Sequence, residues 1–412
     1  MALSRRNFLR SSLAGLGAAA VATALAPLVK IKRAGAATAG KRVIVVGIGG
    51  GLRLNESLGM AQGATMPNLF GTTPLVTGFA TGAQGAPKIA PEYAQTAPTL
   101  ALPAVRSTPL FTQGSLITNL RYADGPPGHL QGHGCLLSGY YNKLENRADA
   151  HLPVPTIFEL HRRETNAPAS DTWYVSQIGG FYRALIASDN PDFGNRYAGV
   201  YLQPPGAMSP FVPLITSGKR TLNLTNQNPD LPIIPRDDAE AAAASRLTSV
   251  LDKFRPSVMA ITLLDVDTCH ADFNGYLRAQ QLADALVSHL WDFIQADQDL
   301  RDNTTMLVLP EHGRHLFFNG NNRDSLGRSG IDHGQGDNGD RDVWLLALGP
   351  DIKPNNVIAP TGIAQTGRTS GRYETIDAVM TAMSVLGHDA AMKTELTSFG
   401  ARPGLIVDEV LR

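Results

Sequence analysis

Four stretches of this chain are apolar almost from end to end: RVIVVGI (42–48), VMAITLLD (258–265), TMLVLP (305–310) and DVWLLALG (342–349). A strand with one wet face alternates apolar and polar residues, whereas a strand covered on both faces does not. These runs therefore predict buried strands of a mainly parallel sheet. Helical patterns lie between them. DAEAAAASRLTSVLDKF (238–254) spaces Leu247, Val250, Leu251 and Phe254 along one face, and YLRAQQLADALVSHLWDFIQ (276–295) repeats Leu282, Leu286, Leu290 and Phe293. YETIDAVMTAMSVLG (373–387) closes on a glycine, a natural helix C-terminus. Alternating strands and helices predict a three-layer α/β sandwich.

Two regions interrupt that rhythm. Residues 71–110 are rich in Thr, Pro, Ala and Gly, and residues 188–236 are dense in Pro and Asn. Both read as long loops or small insertions over the sheet edge. No internal repeat or composition shift divides the chain, so residues 40–412 read as one domain carrying insertions near 71–110 and 188–236.

Residues 1–39 stand apart. SRRNFLR (4–10) sets two arginines before a polar residue, Phe and Leu, and a weakly apolar Ala/Gly/Leu run follows. This is the pattern of a twin-arginine export signal, cleaved near Ala36 or Ala39 or retained as an anchor. It implies passage through the twin-arginine translocase to the periplasm or beyond. Residues 1–39 hold six of the 36 Lys and Arg and none of the 36 Asp and Glu, so the remainder carries 30 basic against 36 acidic side chains, a net charge of −6. Nucleic-acid binding needs a basic footprint, which such a balance argues against. No second apolar stretch is long enough to span a bilayer. The two cysteines, Cys135 and Cys269, allow either one disulfide or two buried thiols.

Side chains able to bind a metal gather where strands empty into loops. DVDTCH carries Asp265, Asp267 and His270; PEHGR carries Glu311 and His312; GIDHG carries Asp332 and His333. GHLQGHGCLLSG, a Gly-rich loop on this reading, carries His129 and His133. Each taken alone reads as ordinary polar capping. Together they hold five of the ten histidines, and that concentration, with acids beside most of them, points to a metal. Imidazole with carboxylate oxygen suits zinc, manganese or iron, and a hydrolytic centre needs about three protein ligands with one position open. The Asp- and Asn-rich DHGQGDNGDRD also offers oxygen for calcium. GIGGGLRLN lacks the spacing of a nucleotide loop, and no Gly-x-Ser-x-Gly elbow is present for a serine hydrolase.

In the order VIVVGIGGGL, GHLQGHGCLLSG, DVDTCH, PEHGR, IDHG and ETIDAVMTAMSVLG, the chain resembles the alkaline phosphatase/sulfatase superfamily. Within it, the chain looks most similar to the twin-arginine-exported family called domain of unknown function 1501. The resemblance implies a sandwich with a mixed, mostly parallel sheet and a divalent metal centre, zinc foremost, at the strand ends. It implies that Asp267 (or Asp265), His270 and His333 hold one ion, and that Glu311 and His312 stand where a second ion's Asp-His pair would be. Glu311 or His312 would complete the shell or serve as general base, and Arg314 would bind an oxyanion. The substrate implied is a small or polymeric phosphate or sulfate ester, attacked by metal-activated water. Two departures bear on this. The turn after the first strand offers only glycines where the superfamily places an Asp, and the nucleophile's place reads Gly128, His129, Leu130. Cys135 and Ser138 are near but at the wrong spacing, so a covalent mechanism has no obvious nucleophile; His129, standing there, is a candidate catalytic side chain beside Glu311 and Arg314. The alternative is an inactive superfamily member that binds a ligand or partner outside the cell.

Overall fold

The strand β1 (Arg42–Ile48) is buried along its whole length, and its side chains divide between two layers. Val43 and Val45 join one apolar cluster, while Ile44, Val46 and Ile48 join another on the opposite face. Burying each such side chain contributes roughly 1.5–3 kcal/mol. That two-sided demand is why the run shows no polar alternation.

The computed structural model describes residues 40–59, 65–76, 105–144, 150–176, 184–202, 250–270, 273–316, 330–334 and 338–412. The twin-arginine segment 1–39 and most of both insertions lie outside the described residues. So does the predicted helix 238–254, apart from its last turn at 250–254, which is helical. Residues 41–412 form one compact unit.

The other strands are β2 (Ser115–Arg121), β3 (Thr172–Ser176), β4 (Val200–Leu202), β5 (Val258–Leu263), β6 (Thr304–Pro310), β7 (Asp342–Leu348) and β8 (Asn356–Ile358). They form one eight-stranded sheet in the order β4-β3-β5-β1-β6-β7-β2-β8. All neighbours pair in parallel except at β7, which runs antiparallel to both β6 and β2. The sheet is thus mixed and mostly parallel. The four apolar runs are β1, β5, β6 and β7; β2, β3, β4 and β8 complete the sheet without having announced themselves.

Among the described residues, the longer helices that cover it are α1 (His129–Ser138), α2 (Ile157–Thr165), α3 (Phe273–Ala296), α4 (Thr375–Val385) and α5 (Asp389–Ser398). α3 packs Phe273, Tyr276, Leu286, Leu290 and Trp291 on one face of the sheet. Leu136 of α1, Phe158 of α2, Val379 of α4 and Met392 of α5 pack on the other. The result is an α/β three-layer sandwich. Gly387, just past the end of α4, has φ +77, a conformation that glycine adopts without a Cβ penalty. Among the described residues no helix is long and apolar enough to cross a membrane. Cys135 and Cys269 are both buried free thiols, which resolves the two options left by the sequence.

Because β5, β1 and β6 are adjacent and parallel, their C-terminal ends open side by side. This is where open α/β sheets bind ligands.

Candidate metal centre

Five separate segments meet at that edge. β1 exits through Gly49–Gly51, β5 into the 3-10 turn Asp265–His270, and β6 into Glu311–Arg314. The first turn of α1 and the segment around His333 close the site. The stretch expected as a Gly-rich loop is in fact α1, and His129 and His133 lie one helical turn apart on the same face. Its glycines serve close approach. A Cβ at Gly132 would sit 2.9 Å from the Glu311 Cβ, so only glycine lets the helix backbone press on the end of β6.

The glycine triplet after β1 has a comparable cause. Gly50 adopts φ +95 and its N–H donates to Glu311 Oε1 at 2.6 Å. A Cβ there would meet the Asp267 backbone nitrogen at 2.3 Å, and one at Gly51 would meet the Gly313 carbonyl oxygen at 2.4 Å. This turn has no room for a side chain at Gly50 or Gly51.

Two carboxylates organise the centre. Asp267 Oδ1 lies 3.1 Å from His270 Nε2 and 3.4 Å from His333 Nε2, and Oδ2 lies 3.3 Å from His129 Nε2. Glu311 Oε1 lies 2.8 Å from His129 Nδ1 and 3.3 Å from His312 Nε2, and Oε2 lies 2.8 Å from His133 Nε2. Burial alone would raise both carboxyls. The surrounding imidazoles outweigh it, His129 first for Asp267 and His133 first for Glu311, and hold both well below the usual carboxylate range. Burial tends to discharge His129, but Glu311 and Asp267 on its two sides raise it to about 10. The Asp267 bond raises His270 despite partial burial. Burial lowers His312, and burial with the neighbouring His312 lowers His333 to about 3, so both rings are neutral near pH 7.

The outer contacts fix which nitrogen each neutral ring presents. His312 Nδ1 lies 2.8 Å from the Gly313 carbonyl and His333 Nδ1 lies 3.0 Å from the Pro127 carbonyl. A carbonyl oxygen can only accept, so Nδ1 carries the proton in both rings and Nε2 bears a lone pair. Both Nε2 atoms are buried without a hydrogen-bond partner. Each lone pair instead faces a carboxylate oxygen, His312 at 3.3 Å and His333 at 3.4 Å. Two facing acceptors repel unless a proton or a metal cation lies between them, and burial disfavours the proton on both rings. His270 Nδ1 is held at 2.6 Å by Asp332 Oδ1. Histidine ligands of metals are oriented by outer carbonyls and carboxylates in this way.

Two groups of side chains lie close enough to hold an ion: His129, Asp267, His270 and His333, and His129, Glu311 and His312, each with ligand atoms within 4.8 Å of one another. Three imidazoles with one carboxylate, and two imidazoles with one carboxylate, fit a divalent transition-type ion.

Of the residues expected to hold metal, Asp267, His270, His312 and His333 are thus brought together, whereas Asp265 belongs to neither group. The three expected catalytic residues occupy different surroundings. His129 belongs to both groups. Glu311 has no exposed surface. Arg314 is also fully buried; it donates to Asp267 Oδ1 at 2.7 Å, to the Gly51 carbonyl at 3.2 Å and to the Ile331 carbonyl at 2.5 Å. Its described contacts are thus with Asp267 and two main-chain carbonyls. His133 and Asp332 were visible in the sequence without an assigned role, and the i,i+4 spacing of His129 and His133 was the signal for a helix there. The Gly50 N–H carried no signal beyond the glycine run. For calcium, residues 335–337 of the Asp- and Asn-rich loop lie outside the described residues.

No family model matches the chain, and no curated protein matches it. Solved structures similar to it include a phosphonate monoester hydrolase from Silicibacter pomeroyi, at 12% identity and TM-score 0.46, covering 84% of this chain and 73% of that one. A 2-O GAG sulfatase is similar at 10% identity and TM-score 0.45, covering 84% and 71%. The C-terminal periplasmic domain of EcEptC from Escherichia coli, in complex with Zn, is similar at 10% identity and TM-score 0.40, covering 84% and 83%. Scores this low assign no residue a role.

Proposed function

We propose that this chain is an exported, divalent-metal-dependent hydrolase of phosphate or sulfate esters, related to the alkaline phosphatase/sulfatase superfamily. The observation that carries the metal reading is the pair of bare Nε2 lone pairs, on His312 and His333, each facing a carboxylate. Asp267, His270, His333 and His129 would hold one ion, and Glu311, His312 and His129 a second. Zinc suits these donors, with manganese or iron as alternatives. Bound there, the ion supplies positive charge that polarises an ester oxygen and makes water a better nucleophile near neutral pH. The chain's own residues orient this centre. Arg314 fixes Asp267, Asp332 fixes His270, and the carbonyls of Gly313 and Pro127 set the tautomers of His312 and His333. Substrate would enter beside His270 and Asp267, whose side chains are 38% and 31% exposed, because Glu311, His312 and Arg314 are sealed behind them. The ester class rests on the resemblance to the alkaline phosphatase/sulfatase superfamily, and the export route on the twin-arginine motif.

A second reading, a metal-holding binding protein without turnover, is favoured by one observation. His129, in the nucleophile's place, has both ring nitrogens against carboxylates. The test for both is elemental analysis of the purified chain beside a His270→Ala/His333→Ala double variant, followed by a screen of p-nitrophenyl phosphate and sulfate esters. Metal and hydrolysis lost together in the variant support the hydrolase. Metal without hydrolysis selects the second reading, and no metal in the native chain refutes both.

A further inference from the structure

We propose that His129 is an imidazolate bridge between two metal ions, Nε2 to the ion held by Asp267, His270 and His333, and Nδ1 to the ion held by Glu311 and His312. The inference rests on the metal reading above and goes beyond it in joining the two ions through one side chain.

His129 is the one residue common to both ligand groups. Its two nitrogens face different carboxylates, Nε2 at 3.3 Å from Asp267 Oδ2 and Nδ1 at 2.8 Å from Glu311 Oε1. Neighbouring donors around a tetrahedral ion with bonds of about 2.0–2.1 Å lie roughly 3.3 Å apart. The contacts of Asp267 with His270 and His333, at 3.1 and 3.4 Å, and of Glu311 with His312, at 3.3 Å, are of that length.

The other histidines of the two groups are arranged differently. His312, His333 and His270 each commit Nδ1 to an outer anchor, the Gly313 carbonyl, the Pro127 carbonyl and Asp332 respectively. Each therefore offers one nitrogen to a metal. His129 shows no such anchor in its contacts; both of its nitrogens are directed at ligand carboxylates. On metal binding each ion takes one nitrogen lone pair, and the ring's N–H protons pass to solvent.

The test uses the native full chain stripped of metal and reloaded with Cu(II), which imidazole ligands suit. Copper content is measured by mass spectrometry and spin intensity by electron paramagnetic resonance. Two coppers per chain with most of the spin intensity missing, because a bridging imidazolate couples the spins, is the expected result. In His129→Ala, checked for folding by circular dichroism, the signal per copper should return to full strength. Two coppers at full intensity in the native chain, or only one copper, would overturn the bridge and leave the metal reading standing. No tightly held copper, zinc, manganese or iron would overturn both.

Discussion

Replacing Gly132 by Ala tests the packing on which the centre depends. In the middle of an unconstrained helix this change gains about 1 kcal/mol, because glycine is the poorer helix former. In α1 the new methyl would lie 2.9 Å from Glu311 Cβ, 3.2 Å from Glu311 Cγ and 3.2 Å from the Glu311 carbonyl oxygen. None of these is the far end of a flexible side chain, so the helix has to lift or the end of β6 has to bend. Overpacking of this kind costs about 1–3 kcal/mol. The net expectation is a loss of up to about 2 kcal/mol, together with weaker metal binding as His129 and His133 are carried away from Glu311. For a unit of this size 1 kcal/mol moves Tm by only about 1–2 °C, so equilibrium urea unfolding at constant m is the better assay. A Gly132→Ala chain that is stabilised by about 1 kcal/mol and keeps its full metal content would refute the close approach of α1 to β6.

Arg314→Met should weaken metal binding by about 10–100-fold, since the residue that orients Asp267 is lost. It should also destabilise the chain by on the order of 3 kcal/mol, since Asp267 and two carbonyls lose their buried donor; unchanged metal titrations would refute the positioning role. Asp284 on α3 is fully buried, and burial raises its carboxyl to about 7 despite N–H donors from Asn68 and Leu69. Its folded pKa thus lies above the unfolded value of about 3.9, so the folded state binds more protons and stability falls by roughly 1.4 kcal/mol per pH unit between those limits. The difference in unfolding free energy between wild type and Asp284→Asn should carry that slope from about pH 5 to about pH 6.5; a flat difference would refute it. Cys135 and Cys269 are buried thiols whose pKa values burial pushes up to about 12. Both should resist iodoacetamide until the chain unfolds, and reductant should leave the unfolding midpoint unchanged; a shift would reveal a disulfide.

What the sequence disclosed follows from which residues were free to vary. β1, β5, β6 and β7 were legible because burial on both faces leaves no place for polar residues. β3 was not, since TWYVS buries Thr172 and Ser176 as completely as its aromatics and so shows no apolar run. β8 is three residues at the sheet edge, too short for a pattern. α2 was missed although its start is written in the chain: Thr156 and Glu159 form a reciprocal capping box. α1 hid because the glycines that let it approach Glu311 are residues that argue against a helix. The ligand types at the site could be read from the motifs. The interior position of Glu311 and the inward commitment of Arg314 could not, since burial of a charged side chain is set by distant segments.

The position of β1 has a consequence for how the protein is made. The first of the described strands lies in the interior of the sheet, and both its neighbours, β5 and β6, come from the second half of the chain. At about 5–20 residues per second, elongation from Ile48 to Leu263, the end of β5, takes roughly 11–43 s. Until then RVIVVGI lacks both of its sheet neighbours, and a short β-branched segment whose only charge is Arg42 is prone to pair with copies of itself. Biosynthesis therefore exposes this chain to self-association well before a metal site can exist, and a ribosome-associated chaperone that holds residues 42–48 would raise its yield more than added metal would.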